Sequence, residues 1–331
     1  MTVRIVSDRR EVLSHFDAEY GKVAVSQADR PQIDVHAGPY DTIVTEAPDL
    51  CEYRGRHKTI RWRLAVSGLD SDVTRLAFDG RGSMAISFLQ TFYLEPLLRH
   101  RMLDAGAAMV HGCTVVQNGK STLFAGGTGV GKTTLALAQA TNGGVVLGDN
   151  WVVVTPDGMT LTFPRRIRLY GDLRRANPEA YRRLPPAARR RLTTVGIISR
   201  LSFGYANLPV RLAREEVAPN SPPVSDVFPL GSAFVLLPDK GSELAEPRPL
   251  SLEELLTSIQ AVNHEEGERL AAAVEPYLTA HPDSRFHTIA ERERAILTGA
   301  FEGLPAFELM VPRVSNPSAL ASRILSLSRT V

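Results

Sequence analysis

The stretch Gly126-Gly127-Thr128-Gly129-Val130-Gly131-Lys132-Thr133 decides how this chain is interpreted. It matches the phosphate-binding pattern G-x-x-x-x-G-K-[ST] at every fixed position. A short apolar run ending at Ala125 precedes it, and a helix-forming run beginning at Thr134 follows it. The glycines let successive backbone N–H groups turn towards a polyphosphate, and the helix N-terminus adds a favourable dipole. The sequence therefore predicts a strand, a loop and a helix that bind a nucleoside triphosphate.

Residues of this glycine-rich loop have separate predicted roles. All residues from Gly126 to Thr134 are expected to line the triphosphate. Lys132 would reach the β- and γ-phosphates, and the Thr133 hydroxyl would ligate Mg²⁺. The alternative is a glycine-rich turn before an ordinary helix. The strand before the loop and the helix after it favour the nucleotide site.

The composition is that of an ordinary globular protein. Of its 331 residues, 44% are hydrophobic and 22% are charged, and the formal net charge is +2. A net charge this close to zero does not indicate binding to nucleic acid or to a membrane. Two cysteines are too few for a disulfide framework, no apolar run approaches the roughly 20 residues of a membrane helix, and charges near the N-terminus argue against a signal peptide. We expect a cytoplasmic protein, and a homo-oligomer stays open.

The pattern divides the chain into a small β-rich N-terminal region of residues 1–85 and a catalytic domain of residues 86–331. Helical spacing covers residues 84–104, where Pro96 either kinks the helix or begins a second one. Short runs of β-formers occupy three stretches of the N-terminal region: residues 22–25, 42–44 and 59–66. We predict that this region packs against the domain or presents substrate to it.

Short strands are predicted on both sides of the loop. A strand candidate over residues 107–116, interrupted at His111-Gly112, leads to Asn118-Gly119, which is a two-residue hairpin signal. After the loop helix, residues 145–147 form another strand candidate. If that strand runs parallel beside the loop strand, its carboxyl end meets the loop at the same edge of the sheet.

The last part of the chain has a mostly helical pattern, which predicts a helical C-terminal tail. Ser251-Leu252-Glu253-Glu254 resembles a capping box at the start of a helix. Amphipathic runs follow near residues 264–279 and 287–303. A late strand is predicted over residues 306–311, and a final helix over Pro317–Ser328.

The surroundings of the loop narrow the class of nucleotide-binding protein. The Asn-Lys-x-Asp motif of GTPases and the Leu-Ser-Gly-Gly-Gln motif of transporter ATPases are both absent from the sequence. An acidic residue, Asp149, follows Thr133 by sixteen positions, which fits one short helix and one returning strand. A carboxylate at that position would hold Mg²⁺ or accept a proton from a hydroxyl. The alternative is that Asp149-Asn150 caps a turn.

Three segments together resemble the catalytic core of HPr kinase/phosphorylase: Val110-His111-Gly112, the loop, and Leu147-Gly148-Asp149-Asn150. In that family a His-Gly precedes the loop and an Asp-Asp pair follows the loop helix, and the spacings here agree. The resemblance covers residues 105–155. It implies an α/β fold of the phosphoenolpyruvate carboxykinase-like P-loop type with a mixed sheet. It also implies that His111 lies near the transferred phosphoryl group, whereas His111 by itself would equally fit a structural histidine.

The sequence departs from this family at Asn150, where the family has a second Asp. An amide oxygen can ligate Mg²⁺ but cannot act as a base, so Asp149 would be the only base. Whether reverse phosphorolysis also occurs therefore stays open, and the C-terminal signature of the family is not found. The chain resembles divergent HPr-kinase-like proteins, some of which phosphorylate a hydroxyl on a ribosomal peptide or a small metabolite.

An arginine-rich segment covers residues 165–200. Arg165, Arg166 and Arg168 would neutralise phosphate charge or hold an acidic acceptor. For the arginine pairs near residues 182 and 190, a solvated helical face is the favoured explanation. Arg211 and Arg214 are weaker candidates for a transition-state arginine. Nucleic acid is not an expected partner, because aromatic residues are not interleaved with the arginines.

These observations predict an ATP- and Mg²⁺-dependent kinase that acts on a hydroxyl, with Ser or Thr of a peptide or protein as the favoured acceptor. Lys132 would stabilise phosphate charge, and Asp149 would accept the hydroxyl proton. Thr133, Asp149 and Asn150 are the expected Mg²⁺ ligands, and His111 would orient the transferred group. A small-molecule kinase and a non-catalytic nucleotide-binding regulator remain as alternatives.

Overall fold

The computed structural model describes residues 1–26, 30–44, 46–141, 143–219, 221–241, 246–312 and residue 320. Contacts between residues group the chain into two compact units. The first consists of Met1–Ala108 and Asn263–Ile296, and the second of Met109–Val262 and Leu297–Val331. The predicted division into an N-terminal region and a catalytic domain at residue 85 stays a prediction. Contacts between residues do not show which part of the chain is catalytic.

The first unit contains a five-stranded sheet with the strand order β1-β2-β5-β4-β3. β1, β2 and β5 are parallel to one another, whereas β4 and β3 are antiparallel to their neighbours. Its elements are β1 (Val3–Ser7), α1 (Arg10–Tyr20), β2 (Ile33–Ala37), α2 (Tyr40–Ile43), β3 (Cys51–His57), β4 (Ile60–Ser67), β5 (Thr74–Gly80), α3 (Gly82–Phe88), a π-helical turn (Leu89–Leu94) and α4 (Glu95–Asp104).

The N-terminal strands agree only in part with the sequence patterns. The run over residues 59–66 corresponds to β4, but residues 22–25 contain a 3₁₀ turn and residues 42–44 include the end of α2. Helix α1 was not predicted; its buried Val12 and Phe16 are one helical turn apart. Pro96 lies in the first turn of α4, directly after the π-helical turn. Leu94 and Glu95 have helical backbone angles, so the helical path continues from Gly82 to Asp104 and no separate helix begins at Pro96.

The second unit is built on an eight-stranded mixed sheet, and helices pack on it, so the α/β class is confirmed. Its elements are β6 (Ala108–Gln117), β7 (Lys120–Ala125), α5 (Lys132–Thr141), β8 (Val145–Gly148), β9 (Trp151–Val154), β10 (Met159–Thr162), β11 (Ile167–Leu169), α6 (Leu173–Ala176), α7 (Pro178–Arg183), α8 (Pro186–Leu201), β12 (Val210–Leu212), α9 (Arg214–Val217), β13 (Val227–Asp239), β14 (Arg248–Pro249) and β15 (Ala306–Pro312).

The order of strands in this sheet is β10-β9-β6-β7-β13-β15-β14, with β8 also paired to β6. β7, β13 and β15 are parallel neighbours. One hydrophobic cluster contains residues from these strands, from the loop helix α5 and from α6, α7 and α8, so the arginine-rich helices share a core with the loop. β11 and β12 form a separate two-stranded ribbon.

The strand after the loop helix is not the direct neighbour of the loop strand. β8 is paired antiparallel to β6, and β6 is paired antiparallel to β7. β8 and β7 therefore run in the same direction with β6 between them. The reason is the hairpin at Asn118-Gly119, where both residues have positive φ (53° and 77°) and fold β6 directly onto β7. β6 also continues through His111-Gly112 without the predicted interruption.

The helical pattern near the C-terminus is confirmed for two long helices, α10 (Leu252–Ala280) and α11 (Ile289–Phe301), and the late strand is confirmed as β15. Each of the two helices has residues in both compact units. The predicted final helix over Pro317–Ser328 lies outside the described residues, apart from Leu320. In the described part of the chain, every helix is too short or too polar to cross a membrane.

Candidate active site

The glycine-rich loop connects the end of β7 to the start of α5, as the sequence predicts. Gly126 has a φ of 154°, and a Cβ atom built there would lie 2.7 Å from the carbonyl oxygen of Leu236. Gly131 has a φ of 99°, in the left-handed region that favours glycine. The loop thus needs glycine at both of these pattern positions for steric reasons.

Lys132, the first residue of α5, is buried with its ammonium group inside the loop. Its Nζ atom donates hydrogen bonds to the carbonyl oxygens of Gly126 (2.6 Å) and Gly127 (2.9 Å). Only 7% of its surface is exposed. A buried cation at the centre of a loop of backbone amides suits a polyanionic ligand.

The side chains of Thr133 and Asp149 are in direct contact. Thr133 Oγ1 donates a hydrogen bond of 2.9 Å to Asp149 Oδ1. Asp149 follows the last residue of β8 and is buried. Because β7 and β8 point the same way, their carboxyl ends lie at one edge of the sheet, and this brings the carboxylate to the loop.

Asn150 adopts a left-handed conformation with a φ of 79°, which asparagine tolerates better than most residues. With its amide oriented to suit its neighbours, the side-chain oxygen accepts hydrogen bonds from Trp151 Nε1 (3.1 Å) and Arg165 Nη1 (2.6 Å). Its backbone oxygen accepts one from the Gly112 amide (3.2 Å). The amide oxygen is therefore already engaged by two donors from the protein.

His111 lies in β6 beside the same segment. Its ring is buried, and the ring centroid is 5.4 Å from that of Trp151. The structure thus brings the predicted site residues into two adjoining pairs. One is Thr133 with Asp149, and the other is His111 with the segment Asn150–Trp151.

Two further residues support the site, and the first of them, Cys113, is one that the sequence did not single out. Cys113 lies under the loop, and its Sγ atom donates to the backbone oxygen of Lys132 at 3.3 Å. Burial raises the pKa of this thiol well above its ordinary value, with the carboxylate of Asp149 adding to the effect. The uncharged thiol therefore serves as a small packing group and a weak donor.

Arg214 is the second of these supports, and its role differs from the transition-state role that was considered. Its Nη1 atom donates to the Leu147 carbonyl oxygen (2.9 Å) and to Thr162 Oγ1 (2.9 Å), and its Nη2 atom donates to the Pro222 carbonyl oxygen. Burial lowers the pKa of this guanidinium. Arg214 thereby ties the end of β8, two residues before Asp149, to β10 and to the loop after α9.

The other arginines near the loop are arranged differently from one another. Arg165 is buried against Asn150, as described above. Arg168 and Arg211 are directly opposite each other in the ribbon of β11 and β12, and both are half-buried. Because the alternate residues of this ribbon are buried in the core, the two arginines give the ribbon one basic face.

The donor atoms at Thr133 and Asp149 are oxygens, which are the ligands that Mg²⁺ prefers. Within the residues that the structure describes, no three His, Cys, Asp or Glu side chains come together to hold a metal. Mg²⁺ is usually bound through one or two carboxylates together with substrate phosphates and water. The donor set therefore fits Mg²⁺ carried by a triphosphate and does not form an all-protein metal cage.

Comparison with known proteins gives distant similarity to solved structures and to nothing else. No family model matches the chain, and no curated protein matches it. The chain is similar to a solved structure described as the Hpr(Ser) kinase/phosphatase from Coxiella burnetii, with 10% sequence identity and a TM-score of 0.33. The alignment covers 67% of this chain and 96% of that chain. A similarity at this level carries no argument about activity, which therefore rests on the geometry of the site.

Proposed function

We propose that this chain is a kinase that uses ATP and Mg²⁺ to transfer the γ-phosphoryl group to a hydroxyl, with Ser or Thr of a peptide or protein as the acceptor. The observation that carries this proposal is the hydrogen bond of 2.9 Å between Thr133 and Asp149. It joins the end of the glycine-rich loop to a carboxylate at the end of a strand. P-loop enzymes use this pair of groups around Mg²⁺ and the phosphates.

The loop supplies the proposed triphosphate site. Backbone N–H groups of residues 126–134 would bind the phosphate oxygens, and the N-terminus of α5 adds a favourable dipole. The ammonium group of Lys132 would exchange the carbonyl oxygens of Gly126 and Gly127 for oxygens of the β- and γ-phosphates. This exchange replaces two neutral acceptors with charged ones, which makes the hydrogen bonds stronger.

Thr133 and Asp149 would hold Mg²⁺ through their oxygen atoms. When bound, the ion would neutralise charge on the phosphate oxygens. Asn150, the third predicted ligand, would join them only if its amide oxygen left Trp151 and Arg165. We therefore propose Asn150 mainly as a support for the turn that follows Asp149.

In the proposed reaction, the acceptor oxygen forms a bond to the γ-phosphorus while the bond between that phosphorus and the β–γ bridging oxygen breaks, which releases ADP. Asp149 would accept the proton of the acceptor hydroxyl. His111, held against Trp151, would orient the transferred group. Because position 150 carries an amide and no second carboxylate, we do not propose the reverse phosphorolysis.

Two other functions remain as alternatives. A small-molecule kinase would use the same groups with a metabolite as the acceptor. A nucleotide-binding regulator would bind without transfer, and the engagement of the Asn150 amide by Trp151 and Arg165 favours this second alternative to some extent.

Incubation with γ-labelled ATP, Mg²⁺ and candidate acceptors separates the three functions. Label on a peptide or protein supports the proposal, label on a metabolite supports the first alternative, and nucleotide binding without transfer supports the regulator. We expect Asp149→Asn to retain ATP binding and to lower the transfer rate by about 10²- to 10⁴-fold. Asp157→Asn, at an exposed carboxylate in a hairpin, is the matched control and should leave the rate unchanged. Unchanged transfer by Asp149→Asn would rule out the assignment of the base.

A further inference from the structure

The outer side of α8 and of the turn after it forms an exposed surface in the same compact unit as the loop. We call it the α8 surface and define it by these side chains: Arg189, Arg190, Arg191, Thr194, Ile197, Ile198, Arg200, Leu201 and Phe203. Arg190, Thr194, Ile197 and Leu201 have the spacing i, i+4, i+7, i+11, which puts them on one line along the helix. The inner side of α8 is in the core through Ala188 and Leu192, whereas the residues of this outer line are exposed.

One end of the α8 surface is basic. The sequence from Ala180 to Arg214 contains eight arginines and no acidic residue. Among the described residues, none makes a side-chain hydrogen bond or ion pair with the guanidinium groups of Arg189, Arg190, Arg191 or Arg200. By contrast, Arg183 on the preceding helix is paired with Glu179 at 2.7 Å. Within the described part of the chain, the positive charge of these four α8 arginines is thus not compensated by a paired carboxylate.

A shallow cavity of about 630 Å³ lies at this basic end. It is lined by Tyr181, Pro186, Arg189, Arg190, Thr193 and Thr194. The lining offers two guanidinium groups and three hydroxyl groups and no carboxylate. Groups of this kind bind carboxylates of a partner.

The other end of the α8 surface is apolar and unusually exposed. Ile197 is 52% exposed, Leu201 77% and Phe203 99%. Phe203 also has a φ of 50°, a left-handed conformation that is unfavourable for a bulky side chain. Glycine or asparagine is the usual residue just after a helix. The free chain thus keeps a large apolar side chain at a position where a small one would be more stable.

We propose that the α8 surface binds an acidic amphipathic helical segment of the polypeptide acceptor. Carboxylates of that segment would lie against Arg189, Arg190 and Arg191, and its apolar residues would pack against Ile197, Leu201 and Phe203. The charge of the surface selects an acidic partner. Its protruding side chains form a ridge along a helix, which packs into the groove between residues of a second helix. This inference rests on the proposed function only in identifying the segment as part of the acceptor.

Binding is measured without ATP, by fluorescence anisotropy of labelled synthetic peptides of about 18 residues, a length that sustains a helix. The acidic peptide carries glutamates in one half and leucines at helical spacing in the other. A scrambled peptide and a peptide with lysines in place of the glutamates are the comparisons. We expect the full chain to bind the acidic peptide at least about ten-fold more tightly than either comparison.

Charge and apolar contributions are tested separately. Arg190→Glu/Arg191→Glu should weaken binding of the acidic peptide by about ten-fold or more and improve binding of the lysine peptide. Ile197→Ser/Leu201→Ser should weaken binding of the acidic peptide by about ten-fold. Two pairs of changes at exposed positions of the other compact unit are the matched controls and should have no effect: Arg30→Glu/Arg61→Glu and Val23→Ser/Val25→Ser.

Phe203→Gly keeps the test valid if other variants fold poorly. Because glycine adopts the conformation at position 203 without strain, we expect its Tm to equal or exceed that of the unaltered chain. Peptide binding should nevertheless become weaker. A variant that is at least as stable and binds less well separates a docking role from a structural role.

The docking proposal is wrong if the chain shows no preference for the acidic peptide or if the α8 variants have no effect on peptide binding. It is also wrong if the α8 variants lose self-association, because a second copy of the chain would then occupy the surface. Binding to phosphatidylglycerol vesicles through Phe203, in place of the peptide, would likewise overturn it. The kinase proposal fails separately. Asp149→Asn should bind the acidic peptide normally, so peptide binding without phosphoryl transfer would leave the α8 surface assigned and the reaction wrong. If phosphoryl transfer to a peptide is unaffected by the α8 variants, the kinase reaction stands and the docking proposal is wrong.

Discussion

Lys132 shows how much a single residue depends on the loop around it. Its ammonium group is held by the carbonyl oxygens of Gly126 and Gly127 and is almost fully buried. A buried cation is costly unless it is paired with hydrogen-bond acceptors. The loop supplies those acceptors and so keeps the charge at the position where phosphate oxygens would bind.

We expect Lys132→Met to weaken the binding of Mg²⁺·ATP by at least about ten-fold and to lower any transfer rate by about 10²-fold or more, because it removes the only side-chain cation in the loop. Fluorescence titration with a labelled ATP analogue measures the first effect. Lys120→Met, at an exposed lysine in β7, is the matched control. Equal affinity in the unaltered chain and in Lys132→Met would contradict the nucleotide site.

Arg214 acts on the site through the backbone. Its guanidinium holds the Leu147 carbonyl oxygen, two residues before Asp149, together with Thr162 and Pro222. Arg214→Met would remove this donor from all three acceptors, of which Leu147 and Thr162 are buried. We expect the free energy of unfolding to fall by about 2 kcal/mol or more in urea denaturation. Arg174→Met, at an exposed arginine, should change it by no more than about 0.5 kcal/mol.

Arg214→Met also tests whether this residue positions Asp149. If it does, kcat should fall in the folded variant while KM for ATP stays nearly constant. A loss of stability with unchanged kcat would make Arg214 a purely structural residue.

At the scale of elements, the start of α10 is the clearest case of a local signal. Ser251 and Glu254 form a reciprocal capping box, in which each side chain accepts a hydrogen bond from the backbone N–H of the other. Hydrogen bonds from Arg248 and then from Ser251 lower the pKa of Glu254 to about 2. The ionised carboxylate is therefore the form that stabilises the helix start.

Because the pKa of Glu254 is lower in the folded chain than its ordinary value of 4.5, its contribution is present above that value and is lost as the pH falls towards 2. We expect Glu254→Gln to have a lower Tm than the unaltered chain at neutral pH. The difference should shrink through this acid range. Thermal unfolding followed by circular dichroism at several pH values measures it, with Glu253→Gln, at the neighbouring exposed carboxylate, as the control. A difference that does not change with pH would contradict the ionic part of this interpretation.

Local signals of this kind were predictable, and pairing between distant strands was not. Asn118-Gly119 and Ser251–Glu254 determine their turn and helix start through their own residues, so the sequence identified both. The position of β6 between β7 and β8 depends on hydrogen bonds between strands, which no short pattern encodes. For the same reason the sequence predicted that Asp149 lies at the loop but gave Arg214 a different role, because its partners Leu147 and Thr162 are far away in the chain.

At the scale of the whole molecule, residues 263–296 belong to the first compact unit although they follow most of the second. Tyr277 Oη donates to Asp70 Oδ2 (2.6 Å), and the Arg285 amide donates to Asp70 Oδ1 (3.0 Å). Arg101 is hydrogen-bonded to Thr74 in the same unit. The two hydrogen bonds to Asp70 join residues 263–296 to the N-terminal segment of the same unit.

We expect a chain of residues 86–331 alone to lack a cooperative unfolding transition, because it would lose all five strands of the first unit's sheet together with Asp70 and Thr74, which hold Tyr277, Arg285 and Arg101. Thermal and urea unfolding followed by circular dichroism, beside the full chain, measure this. A shortened chain that unfolds cooperatively and binds Mg²⁺·ATP would instead support a domain boundary at residue 85.

The thiol beneath the loop has a practical consequence. Both cysteines of the sequence are buried, and Cys113 touches the backbone of Lys132. A maleimide dye can react with Cys113 only after the loop region opens, so the labelling rate of Cys113 measures how often the region opens. A nucleotide that binds in the loop should lower the labelling rate of Cys113. The labelling rate would therefore measure nucleotide binding even if no phosphoryl group is transferred.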